Sequence, residues 1–173
     1  MIIVKKSIVL LLLLACFALT HTFAQEGFEV KAGLNNVSIS LDTGDDFFGE
    51  VSDSELGFYV GGGYNFVASD KVDVEPSVLF SFVDDLTSLY IPIMVKYKIA
   101  DKFNIQAGPQ INYLLEDLPD GELGLDFAFG GGFQIDANWF IDARYGFELT
   151  RGGDFGEFVD INTLTFGVGY RFN

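Results

Sequence analysis

From residue 27 onward, apolar and polar side chains alternate with a period of two in eight separate stretches, and no apolar stripe at helical spacing competes with them. The spacing predicts strands over 27–34, 55–66, 72–82, 89–99, 103–115, 123–135, 139–149 and 163–172. In the fourth, Leu89, Ile91, Ile93, Val95, Tyr97 and Ile99 share one face, and Tyr90, Pro92, Met94, Lys96 and Lys98 share the other. The eighth sets Leu164, Phe166, Val168, Tyr170 and Phe172 against Thr165, Gly167, Gly169 and Arg171. Most of these stretches approach the roughly 9–11 residues that a tilted strand needs to cross a bilayer. That is about twice the usual length of a globular strand.

The connections alternate as well. Longer ones are expected over 42–53, 83–88, 116–122 and 150–160, and tight ones over 67–71, 100–102 and 136–138. Short turns on one rim and longer loops on the other are the habit of outer-membrane barrels, whose short turns face the periplasm. Eight strands place both ends of the barrel on the short-turn rim. The expected fold is therefore an all-β, eight-stranded antiparallel up-and-down transmembrane β-barrel.

Alternation alone leaves open which face points inward, since a soluble barrel would bury the same apolar residues. Glycine decides the matter. Gly33, Gly57, Gly61, Gly63, Gly108, Gly124, Gly130, Gly132, Gly146, Gly167 and Gly169 lie on the polar face, and only Gly62 and Gly131 lie on the apolar one. A solvated face gains nothing from glycine, which weakens strands, whereas a narrow lumen needs small residues beside long ones. The apolar face carries rings near both strand ends, among them Trp139, Phe103, Tyr97, Tyr170 and Phe172 at one rim and Phe58, Phe82, Tyr113 and Phe147 at the other. Two aromatic belts are expected at the two membrane interfaces.

The amino end is of another kind. Lys5 and Lys6 precede an apolar run from Ile8 to Leu19, and Thr22-Phe23-Ala24 closes it. This is the pattern of a secretory signal peptide over residues 1–24, with cleavage after Ala24 and a barrel domain over 25–173. A lipoprotein signal ending at Leu13-Leu14-Ala15-Cys16 is the alternative, in which Cys16 would be lipidated. The run is too short to cross a bilayer as a helix.

Charge and composition then narrow the chemistry. The chain of 173 residues has a net charge of −15. Loss of Lys5 and Lys6 with the leader leaves 8 basic against 25 acidic residues, net −17. Such a chain repels nucleic acid. Cys16 and His21 leave too, so the expected mature chain has no thiolate, imidazole or His/Cys metal site, and no cofactor is expected.

Two groups of residues stand out as candidate sites. Glu29, Lys31, Asp73, Glu75, Lys96, Lys98, Asp126, Asp142, Arg144, Glu148 and Arg171 all fall on the polar face and are expected to form a charge network inside the lumen. Asp142 and Arg144, two apart on one strand, are placed to pair. The network reads as a salt-bridged plug, with a narrow pore for small solutes or ions as the alternative. A carboxylate pair such as Asp126 with Asp142 is a candidate for acid/base chemistry, and a catalytic role is not expected.

The expected loops form an acidic rim: Asp42, Asp45, Asp46, Glu50 and Asp53, then Asp84 and Asp85, Glu116, Asp117, Asp120 and Glu122, and finally Asp154, Glu157 and Asp160. This rim reads as solvated surface, with divalent cations bridging to lipopolysaccharide as the sharper alternative. Phe47 and Phe48 offer a contact point for a surface ligand.

Several short stretches carry a resemblance. They are Val30-Lys31-Ala32-Gly33-Leu34-Asn35, Gly57-Phe58-Tyr59-Val60-Gly61, Val74-Glu75-Pro76-Ser77-Val78-Leu79, Tyr90-Ile91-Pro92-Ile93-Met94-Val95-Lys96-Tyr97, Ala107-Gly108-Pro109-Gln110 and Asp142-Ala143-Arg144-Tyr145. In order and spacing the chain resembles the small outer membrane β-barrel family of Bacteroidetes, which includes PorT-like proteins. The resemblance implies the barrel fold, the outer membrane of a Gram-negative bacterium reached through the periplasm, and contact with lipid and lipopolysaccharide. PorT-like members are linked to secretion machinery, but no residue here carries that role across. The last strand resembles the signal read by the barrel assembly machinery, through Thr165, Gly167, Tyr170 and Phe172, although Asn173 stands where an aromatic usually closes the chain. A monomer is expected.

Overall fold

The computed structural model of the chain describes residues 26–41, 51–84, 86–115, 122–151 and 159–172. The expected leader and most of the acidic loop residues, including Phe47 and Phe48, lie outside the described residues. The described chain forms eight strands: β1 (Gly27–Leu41), β2 (Val51–Val67), β3 (Val72–Val83), β4 (Leu86–Lys98), β5 (Phe103–Leu114), β6 (Leu123–Gln134), β7 (Trp139–Arg151) and β8 (Val159–Phe172). Each pairs antiparallel with its sequence neighbour, and β8 closes on β1 from Phe28 opposite Phe172 up to Leu41 opposite Val159. Closure matters because every N–H and C=O inside hydrocarbon needs a partner, and an open edge would leave a row of them orphaned at several kcal/mol each.

The period-two pattern settles which side chains face out. On β4, Ile93, Val95 and Tyr97 are exposed while Tyr90, Met94 and Lys96 are buried. On β8, Phe166, Val168 and Phe172 are exposed while Thr163 and Arg171 are buried. The outer surface is thus apolar and the polar groups line the axis. Rings gather at both rims, as shown by Trp139 with Tyr170 (5.0 Å between centroids) and Phe103 with Phe133 (4.7 Å) at the short-turn rim. Phe58 stacks on Phe82 (5.2 Å) and Phe127 tilts against Phe147 (5.8 Å) toward the other.

Five boundaries differ from the sequence expectation by two residues or more, all at the loop rim. β1 runs to Leu41, β2 starts at Val51, β4 starts at Leu86, β7 reaches Arg151 and β8 starts at Val159. The extra residues include Ser and Asp, which are poor strand formers, but ladder pairing between neighbouring strands overrides that weak local preference. The connection expected as a long loop over 83–88 is instead a tight turn between Val83 and Leu86, with Asp84 at φ 45°. Asp is among the few residues with a side chain that enter this left-handed region readily. At the opposite rim the β6–β7 turn is set by Asp136, whose carboxylate accepts the backbone N–H groups of Asn138 (2.9 Å) and Trp139 (2.8 Å). Those two donors hold its carboxyl below the usual range.

Candidate functional site: a filled lumen

The lumen is built in tiers, because the inward residues of each strand meet those at the same height on its neighbours. Nearest the short-turn rim, Lys98 pairs with Asp73 at 3.0 Å. Around them a cavity of about 180 Å³ opens, lined by Lys96, Lys98, Asn104, Gln106, Phe140 and Arg171 among others. Above it sits the charged tier. Glu75 is fully buried and takes both Lys31 and Lys96 as partners. Lys31 also lies 3.5 Å from Glu29 and 3.4 Å from Asp142. Arg171 Nη2 reaches Glu29 at 2.7 Å from the neighbouring strand, and Arg144 reaches Asp142 at 3.3 Å. Three carboxylates and four cations therefore share one buried layer, where removing a carboxylate leaves its cationic partners uncompensated.

Phe140 is the centre of this layer, and the alternation of charges did not single it out. Its ring lies 5.2 Å from Lys31 Nζ, 5.3 Å from Lys96 Nζ and 5.7 Å from the Arg171 guanidinium carbon. A ring face offers partial negative charge to all three cations. The signal in the sequence was parity: Phe140 is in phase with Asp142 and Arg144 on β7. Room for bulk comes from glycine. A Cβ at Gly169 would stand 2.2 Å from the Phe140 ring, and one at Gly167 would stand 2.0 Å from the Tyr59 hydroxyl. Thus the rings that cross the lumen rest on bare backbone of β8.

Higher up, Tyr59, Leu79 and Tyr90 form a buried cluster, and Asn35 donates to the Ser81 hydroxyl at 2.6 Å. Asp126 lies apart from the charged tier and accepts a hydrogen bond from Gln110 at 2.9 Å. On the β6–β7 ladder Asp126 stands opposite Glu148 and Asp142 opposite Gly132. Six residues of strand, roughly 20 Å, separate the two carboxylates. The candidate acid/base pair is not brought together.

Glu148 joins a different cation from any the charge pattern had offered. The β7–β8 ladder stops at Gly146 opposite Thr163. Beyond that point Glu148 Oε2 accepts the Ile161 N–H at 2.6 Å, replacing a ladder bond. Its other oxygen pairs with Arg151 at 2.6 Å. Arg151 has the outward parity of Tyr145, but the register shift beside Asp126 adds one residue to β7 and turns it inward. A bulge of this kind leaves no mark in an alternation pattern.

The lumen is not polar throughout, contrary to the sequence expectation. Toward the loop rim Val37, Val83, Leu114 and Ile161 close on one another at 2–3% exposure, with Ile39 and Leu86 packed against them. These residues are in phase with the polar inward positions below them. They form an apolar seal above the tier of Glu29, Glu75 and Asp142, with the buried Glu148–Arg151 pair beside Ile161 at the same height.

Residues 8–172 match the model of the outer membrane protein beta-barrel domain. The chain belongs to that family. It is accordingly a barrel of the Gram-negative outer membrane, crossing with its strands, and the match stops at the family without separating a PorT-like or Bacteroidetes group within it. Among solved structures the fold is similar to Neisserial surface protein A at 17% identity, covering 84% of this chain and 97% of that one with a TM-score of 0.53. It is similar also to Ail, the attachment invasion locus protein of Yersinia pestis, crystallised with the heparin analogue sucrose octasulfate. That pair has 17% identity, covers 86% and 99% of the two chains and has a TM-score of 0.50. No curated protein matches the chain.

Proposed function

We propose that this barrel is a non-conducting, non-catalytic membrane anchor that presents an acidic surface outside the cell. The observation that carries the reading is the filled axis. A salt-bridged tier is capped by the seal of Val37, Val83, Leu114 and Ile161, so an ion moving along the lumen would have to break buried pairs and then cross a dry layer. The Glu29, Lys31, Asp73, Glu75, Lys96, Lys98, Asp142, Arg144 and Arg171 groups act here as internal scaffold, with Asp126 and Glu148 bracing the upper lumen. Thr165, Gly167, Tyr170 and Phe172 serve as the segment read by the barrel assembly machinery during biogenesis. The barrel works as a monomer among lipid and lipopolysaccharide.

The surface role follows from charge. The loop rim repels a polyanion of the kind seated on Ail, and it attracts cationic partners. The experiment is planar-bilayer conductance of the refolded protein. The wild type is expected to be silent, and replacing Val37, Leu114 and Ile161 by Ser should leave it silent, because the salt-bridged tier still fills the axis. Openings in the wild type would favour the narrow-pore alternative instead.

A further inference from the structure

Strand β2 rises well past its neighbour on one side. Its ladder to β1 continues from Gly27 opposite Asn65 to Leu41 opposite Val51. Its ladder to β3 ends at Phe58 opposite Phe82, because β3 turns back at Asp84. Among the described residues, segment 52–56 of β2 therefore pairs with β1 alone and leaves its other edge without a ladder. Phe58 and Phe82 belong to the outer ring belt, so this segment stands beyond the membrane interface. It spans five residues, about 17 Å, and Asp53, Ser54, Glu55 and Leu56 are all exposed.

The edge holds one hydrogen bond that shows how it is kept from pairing at random. The Ser54 N–H donates to Asp53 Oδ1 at 2.9 Å, a side-chain acceptor in place of a strand carbonyl. Charged side chains on a bare edge are a usual guard against chance strand addition. Here the charge is all of one sign. Segments 38–56, 83–88, 113–125 and 147–163 contain 16 acidic residues and one basic residue, Arg151, and Arg151 is buried against Glu148. Edge pairing between two copies would set Asp53 and Glu55 of one against those of the other, which like charges disfavour.

Building on the surface role proposed above, we infer that the bare edge of β2 over 52–56 is a docking site for an extended, lysine-rich polypeptide segment that adds as a further strand. Main-chain hydrogen bonds to alternate residues of the edge supply the grip, and the acidic rim supplies selection and steering. The incoming carbonyl replaces Asp53 as acceptor for the Ser54 N–H, and an incoming lysine takes the released carboxylate.

The test uses the folded barrel in detergent and two peptides of about ten residues alternating Lys and Val. One is unmodified, and the other is methylated on alternate backbone nitrogens so that it keeps its charge but cannot pair. The unmodified peptide is expected to bind. Methylation, or Ser54→Pro in the barrel, should weaken binding at least about tenfold, since proline on a bare edge removes a docking donor without breaking an existing ladder bond. Glu55→Gln with Asp84→Asn should weaken it roughly fivefold and flatten its salt dependence. Equal binding of both peptides, unaffected by Ser54→Pro, would overturn strand addition and leave the acidic surface role standing. Binding of neither peptide would remove both, and a concentration-dependent dimer blocked by Ser54→Pro would replace the peptide by a second copy.

Discussion

Replacing Glu75 by Gln is expected to destabilise the folded barrel by about 3–5 kcal/mol. Glu75 is fully buried and holds Lys31 and Lys96 together, with Ser77 donating to it at 2.8 Å. The amide keeps the volume and removes the charge, so two lysines and two arginines in that tier would be left facing only Glu29 and Asp142. The barrel cannot relax this by admitting solvent from above, because the apolar seal lies there. Folded and unfolded forms of such barrels separate by heat-modifiable mobility on gels, and the folded fraction across a urea series gives the loss directly. A double change, Glu75→Gln with Lys96→Met, should recover part of it, because removing both charges of a buried pair costs less than orphaning one. A Glu75→Gln barrel as stable as wild type would mean that the charged tier contributes nothing to holding the strands together.

The second large effect is expected at Gly169. A Val there would drive its Cβ within 2.2–2.7 Å of three carbons of the Phe140 ring. Phe140 cannot swing aside without leaving Lys31, Lys96 and Arg171. Overpacking of this sort costs about 1–3 kcal/mol, and any move of the ring into the cavity below it gives up those three cation contacts. The expected result is a sharp drop in the yield of folded barrel on refolding into micelles. Adding Phe140→Ala to Gly169→Val should restore much of that yield, although Phe140→Ala alone lowers it. No rescue would mean that Gly169 is needed for backbone approach between strands and not for the ring.

Much of the fold was legible because lipid and lumen impose opposite demands on alternate residues. Runs such as Ile93, Met94, Val95, Lys96 and Tyr97 therefore announce both a strand and its two faces. Glycine placement told inside from outside for the same reason: bulk such as Phe140 and Tyr59 needs bare backbone opposite it. The misses share one cause, which is that alternation records phase and not height or irregularity. Val37, Val83, Leu114 and Ile161 were in phase with the polar inner positions, but only the register of the strands shows that they meet at one level. Arg151 was hidden because a bulge reverses phase after Glu148. The two-residue turn at Asp84 is not legible in the sequence, because it is fixed by the pairing of β3 and β4 down to Val83 opposite Leu86, which alternation does not record. Of the proposed charge network, the carboxylates opposite Lys31, Lys96, Arg144 and Arg171 come together, and Asp126 and Glu148 belong to separate sites with Gln110 and Arg151.

Depth-resolved quenching by brominated lipid tests the orientation of the two faces most directly. The chain has a single tryptophan, Trp139, so Trp139→Phe gives a dark background for one new reporter at a time. Phe129→Trp, on the exposed outer face, should be quenched strongly by bromines near the acyl-chain ends, and Tyr59→Trp, buried inside, should be quenched little at any depth. Strong quenching at position 59 with none at 129 would show that the apolar surface points inward, and the account would be wrong at its root.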